Sequence, residues 1–211
     1  MSPYRKRLLC YVLGIITLGF IALTILIVTF PESVIDKEFS EEIQEHQHPI
    51  LDNLMKIVSS VGIFPYSFIL VIVSALIFFL FKLRKEALYI CLTGISGVVS
   101  SGLKILINRP RPTEDVVRII EQTKRQSFPS GHVLFYVVFF GFLALLMHHL
   151  KTIPRSIRIT VGGISLFQIF MVPISRVYLG AHWFTDVLGG FLLGMLCLLI
   201  LSYMYLRKPA S

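Results

Sequence analysis

The chain has 211 residues, 55% of them hydrophobic and only 15% charged, with a formal net charge of +8 and a mean hydropathy of +0.78. Soluble domains carry about 25% charged residues, so this composition excludes an ordinary water-soluble enzyme, and its apolar surplus excludes a disordered chain. A basic balance in a soluble protein points to nucleic acid. In a chain this apolar it points instead to the positive-inside bias of a membrane protein, and no nucleic-acid partner is expected.

Residues 8–30 carry no charge, follow Arg5-Lys6-Arg7 and run into Pro31. A secretory signal has an apolar core of about 7–15 residues before a small-residue cleavage site. This stretch is longer and ends in Thr29-Phe30-Pro31, so it reads as a retained spanning helix. Residues 32–49 are acidic, with Ile35, Phe39 and Ile43 four apart on one helical face. Ser33 can cap the start and Pro49 can close the end, which predicts a short amphipathic helix on the outer membrane surface. Residues 57–81 are apolar again, and Gly62 and Pro65 can split them into an interfacial segment and a span starting near Pro65. Residues 87–103, 131–147, 159–175 and 187–206 complete the set. Backbone groups in lipid must bond within the protein, so these runs are expected as helices; they are too long and alternate too poorly for barrel strands. The expected fold is an all-α integral membrane domain over residues 1–211: a six-transmembrane-helix bundle with a short extracytoplasmic amphipathic helix at residues 32–49. Gly94, Ser96, Gly97, Ser100, Ser101 and Gly102 predict close packing of the third span, and Gly190 and Gly194 a small-residue helix contact. Cys10, Cys91 and Cys197 read as small packing residues within spans, with spacing that suits neither a disulfide framework nor a metal site.

Six spans place both termini on one side. That side collects Arg5, Lys6, Arg7, Lys82, Arg84, Lys85, Lys151, Arg155, Arg158, Arg207 and Lys208 against the single acid Glu86, a net of +10, which leaves −2 of the total +8 for the other. The basic side is expected in the cytoplasm of a multi-pass cell-membrane protein. Both long connections, residues 32–49 and 108–129, then fall outside, and connections of that length are often functional.

Three charged clusters fall together at the outer leaflet, within residues 104–186. Lys104 ends the third span and is followed by Asn108-Arg109-Pro110-Arg111-Pro112. Pro129-Ser130-Gly131-His132 opens the fourth. Ser175-Arg176, His182 and Asp186 bracket the start of the sixth. Taken singly, Lys104 is a snorkelling lysine, residues 109–112 a juxtamembrane turn, Ser130-Gly131 a helix start, and His182–Asp186 a structural pair in the bundle. Taken together, Lys104, Arg111 and Arg176 bring three cations to one depth, with arginine forks suited to phosphate oxygens. Ser130 and Gly131 before a helix offer a hydroxyl, free N–H groups and close approach to an anion. His182 and Asp186, four apart, share a face; a carboxylate on one ring nitrogen leaves the other free to attack. His132 can protonate a leaving oxygen. The set contains no metal-ligand cluster. His46, His48, His148 and His149 have no convergent partners and receive no role.

At these residues the chain resembles the type 2 phosphatidic acid phosphatase (PAP2) superfamily, whose signature is Lys-x6-Arg-Pro, Pro-Ser-Gly-His and Ser-Arg-x5-His-x3-Asp. Every position is matched: Lys104 to Arg111-Pro112, Pro129 to His132, and Ser175-Arg176 to His182 and Asp186. The resemblance implies metal-independent dephosphorylation, without a cofactor, through a phosphohistidine. His182 would attack phosphorus, Asp186 would orient it, and His132 would protonate the leaving group and then activate water. Lys104, Arg111, Ser130, Gly131 and Arg176 would bind the phosphate, with Ser175 supporting the loop. The implied substrate is a membrane lipid phosphate at the outer leaflet, and no obligatory protein partner is expected. Length and layout resemble the bacterial phosphatidylglycerophosphatase B-type members, which favours phosphatidylglycerophosphate over undecaprenyl pyrophosphate. Residues 113–127, with Arg118, Lys124 and Arg125, are the expected source of headgroup selectivity. A non-hydrolytic lipid transporter or flippase is the competing class, but transporter sites lie near the midplane between repeats, and no repeat is visible here. The soluble vanadate-dependent haloperoxidases, which share the pocket, are disfavoured by the spans.

Overall fold

The computed structural model describes residues 3–31, 33–123 and 125–207, with Arg5 described in its backbone only. Lys124 and Lys208, counted above on the outer and inner sides, lie outside the described residues. The described residues form α1 (Pro3–Thr29), α2 (Val34–Gln44), α3 (Pro49–Ser60), α4 (Tyr66–Leu80), α5 (Arg84–Thr93), α6 (Ile95–Ile107), α7 (Gly131–His149), α8 (Arg155–Tyr178) and α9 (Phe184–Leu206).

Among the described residues five stretches are long and apolar enough to cross a membrane: Lys6–Thr29, Arg84–Ile107, Gly131–His149, Arg155–Tyr178 and Phe184–Leu206. The expected split of the second apolar stretch occurs, with α3 ending at Ser60 and α4 starting after Pro65. A further helix, α4, is apolar but only 15 residues long. At 1.5 Å per residue it falls short of a hydrocarbon core of about 30 Å. It stops because Lys82 takes a left-handed backbone (φ 64) and turns the chain into α5. The protein is thus an all-helical membrane protein, with five stretches of spanning length and the shorter apolar helix α4 among its described residues.

The long helix α7 is the axis of the bundle. Val133, Leu134, Tyr136, Val137, Val138, Phe139 and Phe142 are buried on all sides of it, as befits a helix apolar all round. It packs on α8, α9, α6 and α5, while α1 lies on α9, α3 on α8, and α4 on α5. Gly190 and Gly194 make the expected close contact. A Cβ at Gly194 would come 2.8 Å from Val137 Cβ, and one at Gly190 would come 2.6 Å from the Ser130 carbonyl oxygen. The small residues of the third span behave differently from expectation. Gly94 divides it into α5 and α6, Ser96 and Ser100 are buried, but Gly97 and Gly102 face open space. Cys10 and Cys91 also lie on the outer face of their helices rather than packed between them.

The segment expected over residues 32–49 forms a shorter helix, α2, capped by Ser33, whose hydroxyl accepts from the Asp36 N–H at 3.1 Å, and Pro49 does not close it but opens α3. Its buried face is mainly the polar one. Asp36, Ser40 and Gln44, also four apart, are buried against α8 and α9, whereas Ile35 and Phe39 are exposed and only Ile43 of the apolar stripe packs, half-buried, against the core. The polar stripe wins because it finds saturated partners. Gln44 donates to the carbonyls of Arg118 and Tyr178 at 2.8 and 2.9 Å and accepts from the Arg118 N–H at 3.0 Å. Phe39 stacks on Phe184, with ring centroids 4.0 Å apart.

Candidate active site

The three motif segments meet where the starts of α7 and α9 face the ends of α6 and α8. Gly131 lets α7 begin against α6, since a Cβ there would sit 2.9 Å from Ser100 Oγ and 3.9 Å from Lys104 Cε. The Ser130 N–H donates to the Asp186 carbonyl at 2.9 Å, which ties the first turn of α9 to the entrance of α7. Gly180, with φ +66, turns the chain from α8 toward His182; a side chain there would meet the Arg118 carbonyl at 2.3 Å.

His182 and Asp186 are buried, and His182 Nδ1 lies 3.5 Å from Asp186 Oδ2. That is longer than an ordinary hydrogen bond. The Ser127 hydroxyl fills the gap: it donates to Asp186 Oδ2 and lies 3.4 Å from His182 Nδ1. Asp186 Oδ2 also accepts the Trp183 N–H at 3.0 Å. The other ring nitrogen, Nε2, faces Arg111 Nη1 at 3.4 Å. Burial, reinforced by the charges of Arg111, Lys104 and Arg176, holds the His182 imidazolium well below the usual histidine range. The ring is therefore neutral at pH 7, the form that can act as a nucleophile.

Arg111 is braced by the backbone carbonyls of Arg125, Gln126 and Ala181. Lys104 reaches the carbonyls of Gln126 and Ser127 at 2.6 and 3.0 Å. Arg176, fully buried, donates through Nη1 to Ser59 Oγ and, at 2.8 Å, to Glu121 Oε2, but its Nε and Nη2 have no partner. Ser130 Oγ and His132 Nε2 are likewise buried without a partner. Buried polar atoms are normally bonded. Among the described residues five such side-chain atoms lack a partner, and four belong to Ser130, His132 and Arg176, with Gln168 supplying the fifth. His132 lies in the electrostatic field of Arg176, His182, Arg111 and Lys104. The arrangement can receive a tetrahedral anion between a neutral imidazole and two unpartnered guanidinium nitrogens.

All eight residues singled out in the sequence thus lie at or beside this centre. Ser175 spends its hydroxyl locally on the Val172 carbonyl, at 2.9 Å. The two described loop cations expected to meet a headgroup, Arg118 and Arg125, sit in different surroundings. Arg118 is committed to Asp52, at 2.7 and 3.2 Å, whereas Arg125 is exposed and lines a cavity of about 430 Å³ with Arg111, Thr123 and Gln126. Sequence reasoning missed Asp36, Ser59, Glu121 and Ser127, and read Arg109 as part of a surface turn. Arg109 is buried and bonded to both Asp36 and Asp186. Only the charge of Arg109 beside an apolar run hinted at this; its partner lies 73 positions away. Among the described residues no cluster of three His, Cys, Asp or Glu side chains could hold a metal ion.

Residues 85–210 match the family described as the PAP2 superfamily. Phosphatidylglycerophosphatase B of Bacillus subtilis (strain 168) is 34% identical over 155 residues, 71% of this chain and 73% of its own length. Undecaprenyl-diphosphatase BcrC of the same organism is 27% identical over 165 residues, 77% of each chain. The crystal structure of a transmembrane PAP2-type phosphatidylglycerolphosphate phosphatase from Bacillus subtilis superposes with a TM-score of 0.81 at 27% identity, covering 95% of this chain and 100% of that one. Aquifex aeolicus LpxE, at 24% identity and a TM-score of 0.64 over 82% of this chain and 98% of its own, shares the fold.

Proposed function

The chain belongs to the PAP2 superfamily and is a membrane lipid phosphatase, and from that premise we propose that it hydrolyses phosphatidylglycerophosphate to phosphatidylglycerol and phosphate. The observation that carries the chemistry is the set of unpartnered buried atoms on Ser130, His132 and Arg176 beside a neutral His182. In this reading the substrate phosphate is held by Arg176 Nε and Nη2, Ser130 Oγ, the free N–H groups at the start of α7 beside Gly131, and the charges of Lys104 and Arg111. Phosphoryl transfer depends mostly on such positioning and charge stabilisation. His182 Nε2 attacks phosphorus and forms a P–N bond. The ester P–O bond breaks, and His132 gives its proton to the departing oxygen. His132 then takes a proton from water, whose oxygen attacks phosphorus, breaks the P–N bond and releases phosphate. Asp186, assisted by Ser127, keeps the imidazole oriented throughout.

The topology that goes with this reading has α4 as a sixth crossing, both termini in the cytoplasm and the site at the outer leaflet of the cell membrane. The charge partition of +10 against −2 supports that orientation. The lipid chains then stay in the bilayer while the headgroup enters the site. Similarity to phosphatidylglycerophosphatase B favours phosphatidylglycerophosphate. Similarity to undecaprenyl-diphosphatase BcrC supports undecaprenyl pyrophosphate as the second reading.

The test is phosphate release by the purified protein on phosphatidylglycerophosphate, undecaprenyl pyrophosphate and phosphatidate in one detergent. Highest kcat/KM on the first is expected, with activity retained in chelator and inhibited by vanadate. His182→Ala is expected to abolish release. A variant that releases phosphate at the wild-type rate would remove His182 from the mechanism.

A further inference from the structure

Arg109, bonded to Asp186, and Arg176, whose charge acts on His182, are both buried arginines, yet they are used in opposite ways. Arg176 leaves two nitrogens unpartnered. Arg109 spends all of its donors: Nε and Nη2 on the Pro31 carbonyl at 3.2 and 2.8 Å, Nη2 also on Asp36 Oδ2 at 2.7 Å, and Nη1 on Thr185 Oγ1 at 2.7 Å and Asp186 Oδ1 at 2.6 Å. An arginine has five N–H donors, so none remains for a ligand. Asp36 is equally committed. Its Oδ1 accepts the Thr185 N–H at 2.8 Å, and its Oδ2 accepts from Thr185 Oγ1 and Ser33 Oγ, each at 2.9 Å. The side chains of Arg109, Asp36 and Asp186 are at most 1% exposed.

We propose that Asp36 on α2 and Arg109 in the long loop are positioning residues for the hydrolytic centre, fixing the Asp186 carboxylate and through it the His182 ring. The inference rests on the phosphohistidine reading above. Asp186 has two oxygens, and the network gives each a separate duty. Oδ1 is held by Arg109, so Oδ2 is left to Ser127, the Trp183 N–H and the imidazole. Rotating the carboxylate would break both sets at once. Buried ion pairs persist only with good geometry and saturated hydrogen bonding, and this triad has both. The acidic outer segment is thereby built into the site from its polar side, while Phe39 keeps its place on Phe184 at the start of α9.

The triad also sets the charge behind His182. Asp36, Arg109 and Asp186 together carry −1. Facing the His182–Asp186 pair from other elements are Lys104 on α6, Arg111 and the Arg176-bound Glu121 in the loop, His132 on α7 and Arg176 on α8. Asp36→Asn, nearly isosteric, raises the triad to 0 and lets Arg109 act on Asp186 alone. Arg109→Gln lowers it to −2. The double variant returns it to −1 without restoring the bonds.

The experiment measures kcat, KM, pH profile and Tm for the full chain in phospholipid nanodiscs, using phosphatidylglycerophosphate. The controls are His182→Ala and Tyr205→Phe, the latter cutting a buried 2.7 Å bond to Glu86 at the opposite end of the bundle. Asp36→Asn is expected to lower kcat on the order of ten-fold with little change in KM, because a misdirected reacting group costs rate rather than binding. The acid limb of its kcat/KM profile should move to lower pH by about one unit, the effect of one charge in a poorly solvated site. Arg109→Gln should move the limb to higher pH, and the double variant should return the limb but not kcat. Tyr205→Phe should lower Tm and leave the limb in place. If Asp36→Asn keeps wild-type kcat and limb while His182→Ala is inactive, the positioning role is overturned and the phosphatase reading stands. Activity that merely follows Tm, with the limb unmoved, overturns it as well. An active His182→Ala removes both.

Discussion

His182 has two nitrogens with different neighbours, and the proposed mechanism gives them separate roles. Nδ1 looks toward Ser127 and Asp186, and Nε2 looks toward Arg111. Because burial disfavours the imidazolium, His182 stays neutral as the pH falls through about 6.5, the ordinary histidine value. A lowered pKa thus extends the nucleophilic form toward acid. The acid limb of kcat/KM is expected below pH 6.5, and a pH–rate profile on the wild-type protein checks it; a limb above that value would contradict the environment described. That His182, Asp186 and the three cations belong together was legible in the sequence because they stand at the spacings of the family signature. Ser127 and Glu121 were not, because a serine and a glutamate in a polar loop carry no periodic signal.

The helices α7 and α9 meet at glycines, and this contact sets the site. Gly190→Ala would drive a methyl group toward the Ser130 carbonyl, 2.6 Å from the ideal Cβ, and a Cβ at Gly189 would stand still closer to the Phe128 ring, at 2.2 Å. Overpacking of this kind costs about 1–3 kcal/mol. Here it also separates Ser130 from Asp186, so Gly190→Ala is expected to lose more activity than its Tm alone would predict. Parallel thermal unfolding and phosphate-release measurements check this. The small-residue pair was readable from its spacing. The division of the third span at Gly94 and the inward turn of the polar edge of α2 were not. A helical period reports that a face exists, and α2 has two faces four-spaced in register. Its partners, Arg109, Thr185 and the Arg118 and Tyr178 carbonyls, decide which one is buried.

For the whole molecule, the charge partition predicts that the long loop meets the outside. In a variant without Cys10, Cys91 and Cys197, Gln122→Cys is expected to react with a membrane-impermeant maleimide in intact cells. Reaction only after permeabilisation would reverse the proposed orientation. Exposed apolar side chains along α1, α4, α6 and α8, among them Ile15, Phe79, Leu106 and Phe170, fit a surface solvated by lipid rather than water.

The sequence by itself determined the solvent, the helical class and the class of reaction. Hydrophobic runs need no partner to state that they belong in lipid, and motif spacing brings reactive residues to one end of their helices. Only the tertiary structure decided which arginine is free and which is committed. Arg109 and Arg176 are alike as letters. One is saturated by carboxylates, a hydroxyl and a carbonyl from distant segments, and the other keeps two nitrogens open. That distinction depends on what packs around each guanidinium, which is a property of the fold and not of the local sequence.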